Sequence, residues 1–286
     1  MPQKNGGKLV SISQEKRREE KLQFLTLLPQ RRTMIVDIFI PCFVDQFFPS
    51  TGMNMVRVLE KLGIGVHYNP NQTCCGQMAF NAGFWDEAKS IGEKFIRDFP
   101  NDRYIITPSA SCAGMVRNYY DELFYNSALH NEYRQLKRNM YEFTDFLVNV
   151  LKITDVGAEF PHRVTYHDSC AALREYGIRE EARTLLKGVK GLELVEMKDT
   201  EVCCGFGGTF AVKHEGISVA MGEQKVMNAM ETGAEFITST DASCLMHQQA
   251  CIDKKGNPIQ TIHLIDILAS KLENPDQTVS ADGADS

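Results

Sequence analysis

The sequence has no apolar run near the ~18–20 residues that a membrane-spanning helix requires. Its longest apolar stretches, such as residues 34–41, have the length of a buried strand. The N-terminus shows no apolar signal core and carries Glu15, Glu19 and Glu20, which argues against a secretory or transit peptide. No G-x-G-x-x-G follows a strand, so the usual dinucleotide fingerprint is missing and with it any visible flavin or nicotinamide site. Basic and aromatic residues do not interleave, which speaks against a nucleic-acid footprint. None of the cysteines forms the tight C-x(2–4)-C pairs of a zinc knuckle. The expected compartment is the cytoplasm. Thiols there stay reduced, and sets of cysteines serve more often as metal ligands or redox groups than as disulfides.

What is present begins with length. A chain of 286 residues suits one large or two modest domains with a sizeable core. Its charge is unevenly spread. Residues 1–33 hold eight Lys/Arg and three Glu, a balance of +5, so with a net charge of −6 the remainder carries −11. The basic arm reads as a solvated, partly helical extension; a docking arm for a partner subunit is the functional alternative. From Leu272 onward the sequence is polar and acidic, and residues 273–286 are expected to be a disordered tail.

The nine cysteines are the informative feature. Cys74-Cys75-Gly76 and Cys203-Cys204-Gly205 repeat one trio, and each trio has one cysteine upstream and one downstream. In the first half 31 residues separate Cys42 from Cys74 and 36 separate Cys75 from Cys112. In the second half the intervals are 32, from Cys170 to Cys203, and 39, from Cys204 to Cys244. Equivalent cysteines thus stand 128 to 132 residues apart, which marks an internal duplication rather than a short-period solenoid.

The surrounding pattern repeats as well. Residues 34–41, 65–69 and 103–107 read as strands of the first half, and 162–166, 192–196 and 235–239 as strands of the second. Helical spacing appears over 54–62, 84–99, 179–186 and 218–232, and residues 132–151 read as a helix joining the halves. Alternating short strands and helices predict an α/β fold: two tandem, duplicated Rossmann-like lobes with short parallel sheets, related by a pseudo-twofold axis. The expected boundaries are 34–155 and 156–272. Each cysteine falls after a strand and before a helix, at the carboxyl edge where open α/β sheets bind ligands.

Four thiolates suit an iron–sulfur cluster or a closed zinc site. Here they come from three separate loops and include one adjacent pair. Neighbouring side chains do not easily chelate one small ion but can reach different irons of a larger group, and the glycine after each pair lets backbone approach something bulky. The spacing therefore favours a cluster, with zinc, in one site or both, as the competitor.

Several motifs together carry a family resemblance: Cys42 after Phe-Ile-Pro, Cys74-Cys-Gly-Gln, Ser-Ala-Ser-Cys112-Ala-Gly-Met, His167-Asp-Ser-Cys170, and Cys203-Cys-Gly-Phe-Gly-Gly-Thr-Phe-Ala-Val-Lys213. Tandem CCG motifs resemble the cysteine-rich domains found in heterodisulfide reductase and in the iron–sulfur component of glycolate oxidase. The wording over about residues 34–270 is similar to the LutA/YkgE family, the (Fe–S)-binding subunits of three-part lactate-utilisation complexes. That resemblance implies a subunit of an oxidoreductase complex taking L-lactate to pyruvate, or acting on a related 2-hydroxy acid, with LutB-like and LutC-like partners. It implies clusters of the [4Fe–4S] type, one per lobe, on Cys42, Cys74, Cys75 and Cys112 and on Cys170, Cys203, Cys204 and Cys244. The fullest form of the motif ends in C-x-x-C, whereas here Ser109 and Asp241 hold the first position of that pair. Four thiolates per lobe still suffice for a conventional cluster; Asp241 reads as an oxygen donor or a helix cap, and Ser109 as a turn residue.

Outside the two quartets, His167 stands three residues before Cys170 and is the candidate catalytic group. It would hydrogen-bond a cluster sulfur or carry protons, against the alternative of a satisfied histidine at a strand end. Cys251 reads as a small buried hydrophobe, and Lys213 and His214 as a solvated helix start that could meet a substrate carboxylate. The favoured function is electron transfer within a lactate dehydrogenase complex. A cluster-based thiol–disulfide reductase and a zinc-stapled scaffold remain as the other classes.

Overall fold

The computed structural model describes residues 34–100 and 102–271; the basic arm and the acidic tail expected from the sequence lie outside these residues. Short apolar runs alternate with amphipathic helices, and each run becomes a parallel strand because a helix must intervene before the chain can return in the same direction. The first half runs β1 (Ile35–Ile38), α1 (Cys42–Phe47), α2 (Pro49–Lys61), β2 (Gly65–Tyr68), α3 (Gln77–Asn81), α4 (Trp85–Asp98), β3 (Ile105–Thr107) and α5 (Ala110–Gly114). A π-helical turn (Met115–Tyr119), α6 (Tyr120–Phe124), α7 (His130–Asn139), β4 (Met140–Glu142), α8 (Phe143–Asp145) and a second π-helical turn (Phe146–Val150) complete it. The second half runs β5 (Arg163–Tyr166), a π-helical turn (Ala171–Tyr176), α9 (Glu180–Gly188), β6 (Glu193–Val195), α10 (Thr209–Lys213), α11 (Glu215–Met230), β7 (Phe236–Ser239), α12 (Ala242–Lys255), β8 (Gln260–His263) and α13 (Leu264–Leu268).

Two four-stranded, all-parallel sheets result, in the orders β2-β1-β3-β4 and β6-β5-β7-β8. The α/β class and the duplication read from the sequence hold. Register repeats with the cysteine spacing: Ile38 pairs with Ile106 in one sheet, and Tyr166 with Thr238 in the other. In each sheet the central strand is followed by connections to opposite sides, which opens a crevice at its carboxyl end.

The helix expected over residues 132–151 is interrupted. β4 lies within it and pairs with the outer edge of β3, Ile105 opposite Met140 and Thr107 opposite Glu142. Met140, Phe143, Phe146 and Leu147 recur at helical spacing, so a three-residue strand leaves no period-2 signal of its own; the free edge of β3 decides the matter. β8 is likewise a short edge strand that the sequence did not announce. Helix α2 begins at Pro49, ahead of the expected residue 54, because proline at the first helical position loses no hydrogen bond.

The halves share a core. One buried cluster joins Val36, Met55 and Leu59 of the first half to Val164, Leu185, Leu264 and Ile267 of the second. Over it α13 packs on α2, where Thr51 Oγ1 and Asn54 Nδ2 each donate to Asp266 at 2.9 Å.

Glu142 ends β4 and caps α8, accepting from Thr144 N at 2.7 Å and Asp145 N at 3.2 Å. Burial outweighs those hydrogen bonds and pushes its carboxyl up to about 8. The folded chain therefore keeps a proton that the unfolded chain releases near its ordinary value of 4.5. The associated stability is complete below that pH and is lost as pH rises towards about 8. Urea midpoints measured across this range should fall with pH in the wild type and fall less in Glu142→Gln; parallel profiles would show that Glu142 does not titrate there.

Candidate metal centre

Each cysteine is placed by the loop between a strand and the next helix. Cys42 opens α1 after β1, Cys112 is the third residue of α5 after β3, and Cys74-Cys75 lie between β2 and α3. In the second lobe Cys170 caps the π-helical turn after β5, Cys244 is the third residue of α12 after β7, and Cys203-Cys204 lie between β6 and α10. The exposure pattern also repeats: Cys42, Cys74, Cys170 and Cys203 are half-buried, and Cys75, Cys112, Cys204 and Cys244 are buried. All eight line one cavity of about 170 Å³ between the lobes. The duplication thus brings both quartets to a common space, where the sequence led to one site per lobe.

Within each quartet the sulfurs are linked in chain order. Cys42 donates to Cys74 at 3.9 Å. Donation from Cys42 and then Cys75 pulls Cys74 far below the ordinary thiol range, and Cys75 is pushed up chiefly by its hydrogen bond to Cys112. In the second lobe Cys203 is pulled down by donation from Cys170 and Cys204. Cys204 is pushed up by its bonds to Cys203 and Cys244. Cys244 falls to about 6, chiefly through donation from Cys204, against burial and with help from His167.

The glycine after each pair has two uses. Gly76 N–H donates to Cys74 Sγ and Gly205 N–H to Cys203 Sγ, both at 3.4 Å, so the outer sulfur of each pair is met by backbone. Both glycines also take positive φ, 85° and 94°. A Cβ on Gly205 would lie 2.4 Å from Ser218 O, so no side chain fits there. Phe43 and Phe206 meet edge to face at 5.4 Å across the lobes, beside the cavity they both line.

Of the two roles the sequence left open for Asp241, oxygen donor or helix cap, the cap is not taken: its side chain makes no capping bond to α12. Its Oδ1 accepts from Ser109 Oγ at 2.9 Å, Ser111 Oγ at 2.8 Å and Ser111 N at 3.1 Å, and its Oδ2 accepts from Ser169 Oγ at 2.5 Å. Ser109 caps α5, accepting from Cys112 N at 3.4 Å, so it is more than a turn residue. Ser109 and Asp241 are equivalent under the duplication, 132 residues apart like Cys112 and Cys244. Two equivalent residues in contact must lie at the pseudo-twofold axis. The two positions where the motif could carry a further cysteine are therefore bonded to each other between the quartets.

His167 is fully buried, and its ring nitrogens find no oxygen or nitrogen partner among the described residues; the group its imidazole serves is the Cys244 sulfur. A ring nitrogen and the sulfurs of Cys204 and Cys244 lie within 4.8 Å of one another, spacing that a metal centre can use. Lys213 and His214 are exposed and do not line the cavity, and Cys251 is buried in the apolar cluster under α11. Sequence reasoning missed Lys225, whose buried ammonium donates to the carbonyls of Asp199 and Thr200 just before Cys203. A lysine on an otherwise inward face of α11 was the available signal. It also missed Arg183, held by Asp168 (2.8 Å to each oxygen) and Glu196 (2.7 and 3.0 Å). Burial works against the Asp168 charge, but this guanidinium holds its carboxyl below the usual range.

A model of the cysteine-rich domain family (CCG) matches residues 36–117 and 164–249, one quartet in each segment. Lactate utilization protein A 1 of Bacillus mycoides (strain KBAB4) is 44% identical over 237 residues, covering 82% of this chain and 96% of that protein. Lactate utilization protein A of Geobacillus thermodenitrificans (strain NG80-2) is 40% identical over 235 residues, covering 82% and 98%. The chain belongs to the lactate utilization protein A family. Among solved structures, a hypothetical protein from Helicobacter pylori shares the fold, with a TM-score of 0.52 and 11% identity over 85% of this chain, which spans half of that one. The family's two cysteine-rich domains thus correspond to the two quartets around the cavity, and the donor set suits a metal or a metal–sulfur cluster: thiolates, backbone N–H groups and a buried imidazole. Among the described residues no helix is long and apolar enough to cross a membrane.

The buried Asp241 carboxylate has only hydroxyl and N–H donors as hydrogen-bond partners, so their loss leaves several groups unsatisfied at once. Asp241→Ala should lower unfolding free energy by about 2–4 kcal/mol in urea titrations, and Asp241→Asn, which keeps one acceptor oxygen, by less than half of that. Equal, small effects from both would remove this carboxylate from the set of contacts that join the lobes.

Proposed function

We propose that the protein is the iron–sulfur electron-transfer subunit of a lactate-oxidising complex. In this reading Cys42, Cys74, Cys75 and Cys112 hold one cluster, Cys170, Cys203, Cys204 and Cys244 hold a second, both are of the [4Fe–4S] type, and the complex works in the cytoplasm. The carrying observation is the convergence of two chains of four sulfurs on one cavity at the carboxyl ends of both sheets. The lactate substrate follows from the names of the relatives. Bound clusters would supply one-electron redox centres for the two electrons released as lactate becomes pyruvate.

The chain's own residues favour relay over substrate binding. No Lys or Arg lines the cavity among the described residues, and its ionisable groups other than thiols are Glu175 and Asp241. A lactate carboxylate would meet like charge there rather than a cation, and burial pushes the Glu175 carboxyl up in the same surroundings. The oxidation itself then falls to partner subunits of the LutB and LutC kind. The cysteines that remain half-buried, Cys42, Cys74, Cys170 and Cys203, mark the side from which electrons would enter and leave.

Anaerobically purified protein should be brown, with about eight irons and eight sulfides per chain for two [4Fe–4S] clusters. Cys204→Ser should remove about half of the iron while the first-lobe cluster spectrum persists. Reconstituted with LutB-like and LutC-like subunits, the wild type should be reduced by L-lactate. Colourless protein holding zinc would overturn the cluster assignment, and a brown protein that lactate leaves oxidised in the full complex would overturn the substrate.

A further inference from the structure

The two lobes share a backbone and differ in what stands behind their sulfurs. Phe39 and His167 occupy one position, each the first residue beyond its central strand. Their N–H groups make the same bond to the neighbouring strand, Phe39 to Ile106 O at 2.9 Å and His167 to Thr238 O at 2.8 Å. Phe39 packs edge to face on Phe95 and Phe99, with ring centroids 4.8 and 6.2 Å away, in an apolar cluster that includes Cys75 and Cys112. His167 instead places an imidazole beside Cys204 and Cys244, within 4.8 Å, with both nitrogens fully buried and no oxygen or nitrogen partner in reach. A neutral imidazole carries one N–H, and with no oxygen or nitrogen acceptor beside it the sulfur of the quartet, or of a group the quartet binds, is what that N–H can meet.

The long helices beneath the two CCG loops differ in the same sense. α4 buries Ala88, Gly92, Phe95 and Ile96. α11 buries Lys225, whose ammonium lies within Coulombic reach of Cys203 and Cys204. One quartet is backed by hydrocarbon and aromatic rings, the other by an N–H donor and a cation.

We propose that the two centres are unequal: His167 donates an N–H···S hydrogen bond to the group held by Cys170, Cys203, Cys204 and Cys244, and this sets the second-lobe centre at the higher reduction potential. The proposal rests on the reading that each quartet holds a cluster. Reduction adds one negative charge to a cluster, and a buried N–H donor and a nearby ammonium stabilise that charge where an aromatic wall does not. An electron given to the protein therefore comes to rest in the second lobe.

The test is a redox titration of the anaerobic full-length protein with dithionite, followed by electron paramagnetic resonance. Cys75→Ser and Cys204→Ser identify which wave belongs to which lobe. The wild type should show two one-electron waves, the second-lobe wave favoured at least tenfold, about 59 mV for a one-electron couple. His167→Phe, which copies the first lobe, should bring the second-lobe wave down towards its twin with iron content unchanged. His167→Gln, which keeps an N–H donor, should hold it higher than His167→Phe does, and Lys225→Met should lower it independently of His167. Coincident waves, a higher first-lobe wave, or potentials indifferent to both His167 and Lys225 would overturn the proposal. So would loss of iron in His167→Phe and His167→Gln alike, which would make His167 an iron ligand rather than a donor. If Cys75→Ser and Cys204→Ser both leave the iron content intact, the cluster reading has failed instead.

Discussion

Sulfurs that must act together have to be held together, although thiolates a few ångströms apart repel one another. Everything distinctive in this fold answers that constraint. In each lobe four sulfurs are brought to the cavity side by side, Cys42, Cys74, Cys75 and Cys112 in one and Cys170, Cys203, Cys204 and Cys244 in the other, with Cys42 donating to Cys74 at 3.9 Å. Backbone N–H groups from Gly76 and Gly205 meet the outer sulfur of each pair. A bound metal centre would take thiolates as its ligands, and the crowding that is costly in free thiols would then serve as a coordination shell.

Convergence of the two runs on one cavity depends on the join between lobes. The common core around Met55, Leu59, Val164 and Ile267 fixes their orientation by burial. Asp241 and its three serines fix it by hydrogen bonds at the axis. Tyr176, from the second lobe, adds a third tie: it donates to Asp145 Oδ2 at 2.6 Å and accepts from Glu142 N at 3.0 Å. Small changes at this seam would move four sulfurs relative to the other four, because each quartet rides on its own sheet.

The two halves are alike in backbone and distinct in chemistry. Strand register and backbone hydrogen bonds are preserved between them, while Phe39 faces His167 across the alignment of halves and a buried lysine appears in only one of the two long helices. Backbone geometry sets where sulfurs sit. The side chains behind them set how readily electron density is accommodated, so two sites of one design need not share one potential.

Much of this was legible in the sequence because its signals are local. Cysteine spacing reports loop positions in a repeating strand–helix unit, and a trio ending in glycine reports a turn that no other residue can make, as the φ of 94° at Gly205 and its closeness to Ser218 O bear out. The edge strands β4 and β8 were not legible: the apolar residues around β4 recur at helical spacing, and the formation of both strands answers the open edges of β3 and β7. Nor could spacing reveal that Asp241 would meet Ser109 and Ser169, 132 and 72 residues away, instead of capping its own helix. The sequence by itself determined which residues stand at the ends of strands, because chain connectivity and side-chain period decide that. Only the tertiary structure decided that both quartets open on one cavity and that His167 is buried beside Cys204 and Cys244, because those depend on how two lobes, each free to pack in many ways, bury a core in common.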